Sequence, residues 1–220
     1  MDHKKYLNNV AYCESFFKKY GDTYKGVGWT KTKEDVDKRY RVMLELIEYN
    51  SADENINHKS LGEKVKLLDF GCGLSHLYEY ILRQQIDYIE YSGLDLSQEF
   101  ITASKAKFPY ITYYDLDVIN NHKNLPLFDY IVMNGVFTGK RNFSHEEMLE
   151  YFQVVVTKVF NKARAGIAFN VMSKQVEWER EDLFHLPFDV LASFLSSSVS
   201  RNFIFRHDYG LYEYTAYVYR

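Results

Sequence analysis

The stretch Lys66-Leu67-Leu68-Asp69-Phe70-Gly71-Cys72-Gly73-Leu74-Ser75 joins a short apolar run to two closely spaced glycines. An apolar run of this length predicts a strand that is buried on both faces of a sheet. The two glycines let the backbone turn tightly beneath a ligand before a helix begins. Asp69 ends the strand and would repel a pyrophosphate, so the turn favours a ligand that carries an ammonium group and hydroxyls.

The chain after residue 64 alternates between β-rich and helical patterns, which predicts a doubly wound parallel sheet in an α/β fold. Strands are predicted near 65–70, 88–94, 111–114, 130–134 and 166–171, and helices near 77–85, 98–107, 145–163 and 187–196. Two further β-rich runs, 203–206 and 212–219, are joined by too few residues for a crossover helix. We therefore expect a seven-stranded sheet that ends in an antiparallel hairpin.

Two helical patterns precede this sheet, at residues 1–20 and about 33–50, with a glycine-rich break between them. Residues 51–63 form a polar connection. We expect residues 1–60 to be a helical lid or cap, packed on a core domain that spans residues 61–220.

Two more acids follow predicted strand ends. Asp95 lies 26 residues after Asp69 and can accept both hydroxyls of a ribose, while Leu96 can pack on adenine. Asp95 could instead cap the next helix, although Ser97 is available for that task. Asp117 can accept the amino group of adenine beside the apolar Val118, and Asp115 is the rival candidate.

These features, in this order, resemble the class I S-adenosylmethionine-dependent methyltransferases. The resemblance covers residues 64–220, with Ser75 where the family usually has a third glycine. It implies a Rossmann-like fold, S-adenosylmethionine as the cofactor and S-adenosylhomocysteine as the product. The residues expected to bind the cofactor are Asp69, Gly71, Cys72, Gly73, Asp95, Leu96, Asp117, Val118, Asn134, Trp29 and Arg39.

Three of these residues have competing interpretations. Asn134 ends the fourth predicted strand and either lines the pocket near the methionine end of the cofactor or only caps the strand. Trp29 follows the glycine-rich break and either folds over the site or anchors the first helices in the core. Arg39 could bind the cofactor carboxylate or form an intrahelical ion pair with Asp35.

The best candidate for a general base is His207, which follows a predicted strand and lies beside Asp208. Its alternative role is to tie the last hairpin to the preceding loop, and His76 and His185 are further candidates. The histidines are dispersed, with no spacing typical of a metal site, so we expect no metal.

The composition of the chain limits which classes of partner and which cellular location we expect. The net charge is −3 and no dense basic stretch occurs, which argues against nucleic acid as a partner. No apolar run is long enough to span a membrane, and two cysteines form no disulfide framework, so we expect a cytoplasmic protein. These sequence patterns predict no particular oligomeric state.

The predicted function is methyl transfer to a small polar acceptor, such as a sugar or another metabolite. The alternatives are a protein methyltransferase and a non-catalytic partner subunit that binds the cofactor. A non-catalytic subunit predicts no accessible cavity beside the methyl group. An NAD-dependent oxidoreductase is disfavoured by Asp69 and Ser75, which do not suit a pyrophosphate.

Overall fold

An eight-stranded β-sheet forms the centre of the computed structural model, which describes residues 3–29, 32–51 and 64–220. The strands are β1 Val65–Phe70, β2 Ile89–Asp95, β3 Thr112–Asp115, β4 Phe128–Met133, β5 Ala163–Ser173, β6 His185–Leu186, β7 Phe203–Arg206 and β8 Glu213–Tyr219. The helices are α1 His3–Tyr20, α2 Lys33–Ser51, α3 His76–Arg83, α4 Gln98–Lys107, α5 Val118–Asn121, α6 His145–Phe160 and α7 Phe188–Ser198.

The main path of the sheet has the order β3-β2-β1-β4-β5-β8-β7. Strands β1 to β5 are parallel, whereas β8 is antiparallel to both β5 and β7. The predicted doubly wound sheet with a final antiparallel hairpin is thus confirmed. The order reverses between β1 and β4, and ligands bind at such a point in sheets of this type.

The additional strand, β6, is two residues long and was not predicted. It pairs in parallel with the last residues of β5, where Met172 lies opposite His185. β4 pairs with β5 only as far as Phe169, so β6 continues the line of β4 beyond its end. The segment before β6 also pairs with the loop after β4, through the bridge between Gly139 and Leu183.

Helices cover both faces of the sheet. On one face, α2 and α3 share a buried cluster with β1 that includes Tyr40, Met43 and Leu77. On the other face, α6 and α7 share a second cluster with β4 and β5 that includes Phe152 and Leu191. These apolar contacts hold the sheet rigid, so the loops at its carboxyl edge start from fixed positions.

Local sequence rules fix several helix ends. Ser144 and Glu147 form the predicted capping box at the start of α6, which ends at Phe160 instead of residue 163. Ser97 caps α4 by accepting a hydrogen bond from the Phe100 N–H.

The two helices before the sheet occupy different places. The tyrosine hydroxyls of Tyr217 and Tyr219 donate to carbonyls of α2, which therefore packs against the sheet. α1 instead crosses the carboxyl edge of the sheet, as described below. The predicted boundary between residues 60 and 61, and residues 52–63 of the predicted connection, lie outside the described residues. Among the helices that the structure describes, none has the length and apolar character needed to cross a membrane.

Candidate functional site

A large cavity of about 930 Å³ opens at the carboxyl ends of the parallel strands. Ligand pockets typically measure roughly 300–1,000 Å³, so this cavity lies near the upper end of that range. The part lined by the ends of β1 to β4 is here named the motif half. The part lined by residues 172–185 and by Tyr212 is named the loop half.

All eleven residues predicted to bind a cofactor line this cavity: Trp29, Arg39, Asp69, Gly71, Cys72, Gly73, Asp95, Leu96, Asp117, Val118 and Asn134. Sequence positions as distant as 69 and 134 are brought together because α/β sheets gather their strand ends at one edge.

Gly71 makes the sharp turn after β1. Its φ angle is +75°, and a Cβ atom at this position would lie 2.7 Å from Cγ2 of Val136. The N–H groups of Gly71 and Cys72 both donate to the carbonyl of Leu94, which ties the turn to β2. No side chain larger than hydrogen fits here without moving the wall of the cavity.

Ser75, at the position of the missing third glycine, has a φ angle of 59°. Its hydroxyl lies 2.9 Å from the hydroxyl of Tyr113 and is fully buried. A serine in this left-handed conformation carries some strain, and the hydrogen bond with Tyr113 gives its buried hydroxyl a partner.

The Asp95 carboxylate is fixed at the floor of the motif half. Its Oδ2 accepts from the Gly73 N–H at 2.8 Å, and its Oδ1 accepts from the Ser97 N–H at 2.9 Å. Burial raises the pKa of this carboxyl, and the backbone hydrogen bonds act in the opposite direction. A carboxylate has about four acceptor sites, so each oxygen can accept one further donor from a ligand.

Asp69 is buried behind this turn. Its Oδ2 accepts a hydrogen bond from the Tyr91 hydroxyl at 2.9 Å. Burial raises the pKa of Asp69 to about 7, the Tyr91 hydrogen bond opposes this shift and the nearby Asp95 charge adds to it. The carboxyl therefore changes charge near neutral pH, and a cationic ligand would favour its ionised form.

Asp117 lies on the cavity, whereas its rival Asp115 is exposed at the end of β3 and does not line the cavity. Asp117 Oδ1 accepts from the Ile119 N–H, and Oδ2 accepts from the Tyr6 hydroxyl at 2.5 Å and from Asn120 at 2.6 Å. Three donors already occupy this carboxylate, which leaves one acceptor site for a ligand.

Asn134 carries a clear sign of a missing partner. It is only 8% exposed, and within the described chain neither its Nδ2 nor its Oδ1 has a hydrogen-bond partner. A buried polar group without a partner costs about 1–3 kcal/mol. Because Asn134 lines the cavity, a bound ligand is the natural source of both missing hydrogen bonds.

A polar chain runs from the next residue to β8. The Gly135 N–H donates to Asn170 Oδ1 at 2.7 Å, and Asn170 Nδ2 donates to Glu213 Oε1 at 2.8 Å. Both Asn170 and Glu213 are buried almost completely. This chain fixes the backbone at the end of β4.

Within the described part of the chain, Arg39 does not form the alternative intrahelical ion pair with Asp35, and its predicted contact with the cofactor carboxylate stays a prediction. Arg39 forms a two-pronged ion pair with the buried Glu213, through its Nε at 2.7 Å and through its Nη2, instead of a pair with Asp35. The guanidinium also lies 5.0 Å from the centre of the Trp29 ring, which packs in turn on Tyr40. Trp29 thus lines the cavity and contacts the core at once.

Helix α1 crosses the cavity, and both polar contacts and aromatic packing, such as that of Phe17 on Phe100, hold it there. The polar contacts are Lys5 with Glu147, Tyr6 with Asp117, Glu14 with Ser97 and Lys18 with Glu99. On its cavity side, α1 presents Tyr12, Cys13 and Phe16 among others. Burial raises the pKa of the Cys13 thiol, so this group stays protonated near neutral pH.

The loop half contains a buried histidine, His185, which is 4% exposed. Its Nδ1 lies 2.6 Å from the carbonyl oxygen of Ser173, and its Nε2 lies 3.3 Å from the backbone nitrogen of Arg180. At the mouth of this half, Trp178 and Tyr212 are 69% and 58% exposed.

His207 lies outside the cavity, which corrects its predicted role as the base. It is exposed after β7, and its ring packs edge-on against Phe188 with centroids 5.6 Å apart. The strand order gives the reason, because β5 and β8 separate β7 from the end of β4. Being at the correct edge of the sheet is not enough when the strand is the outermost one.

Among the described residues, Asp22, His76 and Glu79 bring three possible metal-ligand atoms within 4.8 Å of one another. Lys107 already lies among them, and its Nζ donates to Asp22 at 2.7 Å and to Glu79 at 2.6 Å. His76 Nε2 pairs with Asp22 at 2.8 Å. The lysine supplies the positive charge that these two acids need, so we interpret the cluster as an ion-pair network.

Many cavity residues were not among the predicted ligands, and four of them are Tyr6, Trp178, Tyr212 and Glu213. Glu213 had a usable signal, because an acid inside the apolar run 212–219 must find a partner when it is buried. The other three are aromatic residues in a chain rich in tyrosine, where nothing distinguishes them from core residues.

Comparison with known proteins gives two matches by sequence. A family model described as a methyltransferase domain matches residues 68–158. The protein named "Putative methyltransferase Rv1506c" of Mycobacterium tuberculosis is 26% identical over 152 residues, which are 68% of this chain and 90% of that protein.

Solved structures show the same fold. The magnesium protoporphyrin IX methyltransferase of Synechocystis PCC 6803, solved with bound S-adenosylmethionine, aligns with a TM-score of 0.63 at 14% identity and covers 100% of this chain and 98% of that one. The plantazolicin methyltransferase BpumL, solved with S-adenosylhomocysteine, aligns with a TM-score of 0.57 at 14% identity, covering 99% and 97%.

Proposed function

We propose that the chain is a class I S-adenosylmethionine-dependent methyltransferase and that it methylates a small, uncharged polar acceptor. The cofactor is S-adenosylmethionine and the product is S-adenosylhomocysteine. The observation that carries the proposal is one continuous cavity, in which the motif half fits the cofactor and the loop half leaves space for an acceptor.

The motif half fits the cofactor in its chemistry. Asp95 offers two acceptor oxygens to the ribose hydroxyls, and Asp117 offers its remaining acceptor site to the adenine amino group, beside the apolar Leu96 and Val118. The orphaned amide of Asn134 can both donate and accept, as the amino and carboxylate groups of the methionine end require.

The charge of the cavity favours a cationic cofactor and an uncharged acceptor. Among the described lining residues, acids outnumber arginines by six to three: Asp69, Asp95, Asp117, Glu177, Asp182 and Glu213 against Arg39, Arg141 and Arg180. S-adenosylmethionine brings a sulfonium and an ammonium group, which suit this excess of negative charge. In the loop half, Glu177 and Asp182 are balanced by Arg180 and the facing Arg141, so no net charge there attracts a charged acceptor.

The size of the loop half favours catalysis over simple cofactor binding. A non-catalytic partner subunit would need no space beside the methyl group, whereas the cavity here extends from Asn134 to the mouth near Trp178. Tyr12, Trp178 and Tyr212 present exposed aromatic surface at this mouth and can contact the apolar face of a ring-shaped acceptor.

The bound cofactor would supply an activated methyl group on a positive sulfur. The chain then has to hold the acceptor atom in line with the methyl carbon, at about 3–3.5 Å, and exclude water. We propose that α1 provides this exclusion as a lid, because it covers the cavity through polar contacts that can be exchanged for water when it opens.

The first test is calorimetric titration of the purified protein with S-adenosylmethionine, S-adenosylhomocysteine and NAD. We expect micromolar binding of the first two and none of NAD. A screen of sugars, phenols, amines and a protein extract with methyl-labelled cofactor then identifies the acceptor class. Label found only on protein would replace the small acceptor by a protein, and binding of NAD alone would overturn the proposal.

A further inference from the structure

The register of the sheet places His185 directly above Asn134. Met133 pairs with Phe169, so Asn134 is level with Asn170, and Met172 pairs with His185. Paired residues in a parallel sheet, and residues two apart on one strand, point to the same face. Asn134 and His185 therefore share one face of the sheet, and both line the cavity.

The two levels are close enough for a bound ligand to reach both side chains. Two residues along β5 separate the level of Asn134 from that of His185, which amounts to about 7 Å. A nucleophile needs about 3–3.5 Å to the methyl carbon and about 3 Å to a base. One layer of acceptor atoms fits between the end of β4 and the imidazole.

The hydrogen bonds of His185 set its tautomer. A carbonyl oxygen can only accept, so the 2.6 Å contact with Ser173 requires a proton on Nδ1. Nε2 is then the basic nitrogen. Its contact, the Arg180 N–H at 3.3 Å, is longer than a typical hydrogen bond and is the donor that an acceptor group would replace.

We propose that His185 is the general base of the reaction and that the acceptor carries a hydroxyl group at the methylated position. This inference rests on the proposed methyltransferase function. As the acceptor oxygen bonds to the methyl carbon, its proton passes to Nε2 of His185. The carbon–sulfur bond breaks, its electron pair stays on sulfur, and the imidazolium later returns the proton to solvent.

A hydroxyl is the acceptor that needs such a base. Thiols ionise partly near neutral pH, and the neutral fraction of an amine already carries a nucleophilic lone pair, so neither needs a base during the transfer step itself. An alcohol does not, and a carboxylate has no proton to lose. A buried histidine with its proton fixed on the far nitrogen is therefore matched to a hydroxyl acceptor.

Apart from the exposed Glu177, the acids and the thiol around His185 are ion-paired or protonated. Asp182 pairs with Arg180, Glu179 pairs with Lys174, and Glu213 pairs with Arg39. Cys13 of α1 holds its proton because burial raises its pKa. Glu177 lines the cavity but is exposed to solvent, and Arg141 of the facing loop is a cation.

The test compares the wild-type protein with His185→Asn and with the control His122→Asn. The asparagine amide can still donate to the Ser173 carbonyl but has no basic nitrogen. His122 lies before β4, at the opposite edge of the sheet. All three proteins should bind S-adenosylhomocysteine equally in calorimetry. If the wild-type protein itself does not bind S-adenosylhomocysteine, the proposed function is wrong, and not this inference alone.

Turnover is measured with methyl-labelled cofactor and three probes: catechol, methyl glucoside and butylamine. We expect label on a hydroxyl probe, a kcat reduced about 100-fold or more in His185→Asn with little change in KM, and no change in His122→Asn. On catechol, the variant should recover as the pH rises towards about 10, where phenols ionise without a base. Wild-type rates in His185→Asn, or label on butylamine alone, would overturn the inference.

A measurement that needs no turnover tests the tautomer on which the proposal depends, even if no probe is methylated. Long-range ¹H–¹⁵N NMR spectra, assigned with His185→Asn, should show the proton of His185 on Nδ1 at neutral pH. A proton on Nε2 would leave no basic nitrogen facing the cavity and would overturn the proposal.

Discussion

The two halves of the cavity are built in different ways. The motif half consists of strand ends and the turns that follow them, and backbone groups such as the Gly73 and Ser97 N–H fix its side chains. The loop half depends on segments that meet only in the folded chain, as where β6 pairs with the end of β5. The motif half is thus local in sequence, whereas the loop half is tertiary.

This difference suggests a division of tasks. Changes in the motif half should alter cofactor affinity, whereas changes in the loop half should alter turnover and leave that affinity intact. The motif half also contains the unsatisfied and shifted groups, the Asn134 amide and the Asp69 carboxyl, which await a ligand. Each prediction below tests whether the cofactor is confined to the motif half.

The largest effect is expected from Asp95→Ala. The ribose hydroxyls would lose charged acceptors in a buried place, at a cost on the order of 1.5–3 kcal/mol. Binding of S-adenosylhomocysteine should weaken by about 10- to 150-fold in calorimetry. Asp115→Ala is the matched control, because Asp115 pairs in register with Asp95 but is exposed and off the cavity.

Unchanged affinity in a folded Asp95→Ala protein would remove Asp95 from the ribose site. Circular dichroism must accompany the titration, because Asp95 also accepts hydrogen bonds from the turn after β1. Equal losses in both variants would point to a general effect of charge at this edge of the sheet.

The same division explains how much the sequence could predict. The strand that ends at Phe70, the glycine turn, the acid at the end of β2 and the acid after β3 follow local rules, so the sequence could predict that they line the cavity. Asp117 could be preferred to Asp115 only weakly, because a shift of two residues preserves the strand face. The structure distinguishes them through the Tyr6 hydrogen bond, which comes from a distant helix.

Local sequence rules could not predict which residues line the loop half. His207 was preferred as the base because it follows a strand, and the strand order then placed it too far away. His185 could be named only as one alternative, since its position depends on a two-residue strand that no pattern marks. The partner of Arg39 was missed for a similar reason, because Glu213 is 174 residues away in the chain.

A pH effect should localise to Asp69. Burial raises the pKa of Asp69 to about 7, so below that pH the carboxyl of the ligand-free protein is mostly protonated. A cationic ligand favours the ionised carboxylate and therefore binds less tightly when Asp69 is protonated. Cofactor affinity should rise with pH, by about tenfold at most between pH 6 and 8, and level off above that. Calorimetry across this range checks it, and Asp69→Asn should remove the dependence.

The pH dependence of folding stability has the opposite sign to that of cofactor affinity. The free folded protein binds a proton on Asp69 that the unfolded chain loses near pH 3.8, so its stability should fall as the pH rises from there to about 7. Tyr91→Phe makes the test sharper, because it removes a hydrogen bond that lowers the pKa of Asp69. In this variant, the rise in cofactor affinity and the end of the fall in stability should both occur at higher pH. A pH profile identical in wild type and Asp69→Asn would assign the effect to another group.

The smallest effect, and the most diagnostic, is expected from Asn134→Ala. Asn134 has no partner in the free protein, so its removal should leave the melting temperature unchanged or slightly higher. Affinity for S-adenosylhomocysteine should nevertheless fall about fivefold, by about 1 kcal/mol, because the ligand loses its partner. Asn170→Ala, on the same face one strand away, should instead lower the melting temperature by several degrees, since Asn170 bonds to Gly135 and Glu213. A destabilised Asn134→Ala protein with normal affinity would mean that Asn134 supports the fold, and the boundary between the two halves would then lie nearer to Asp95.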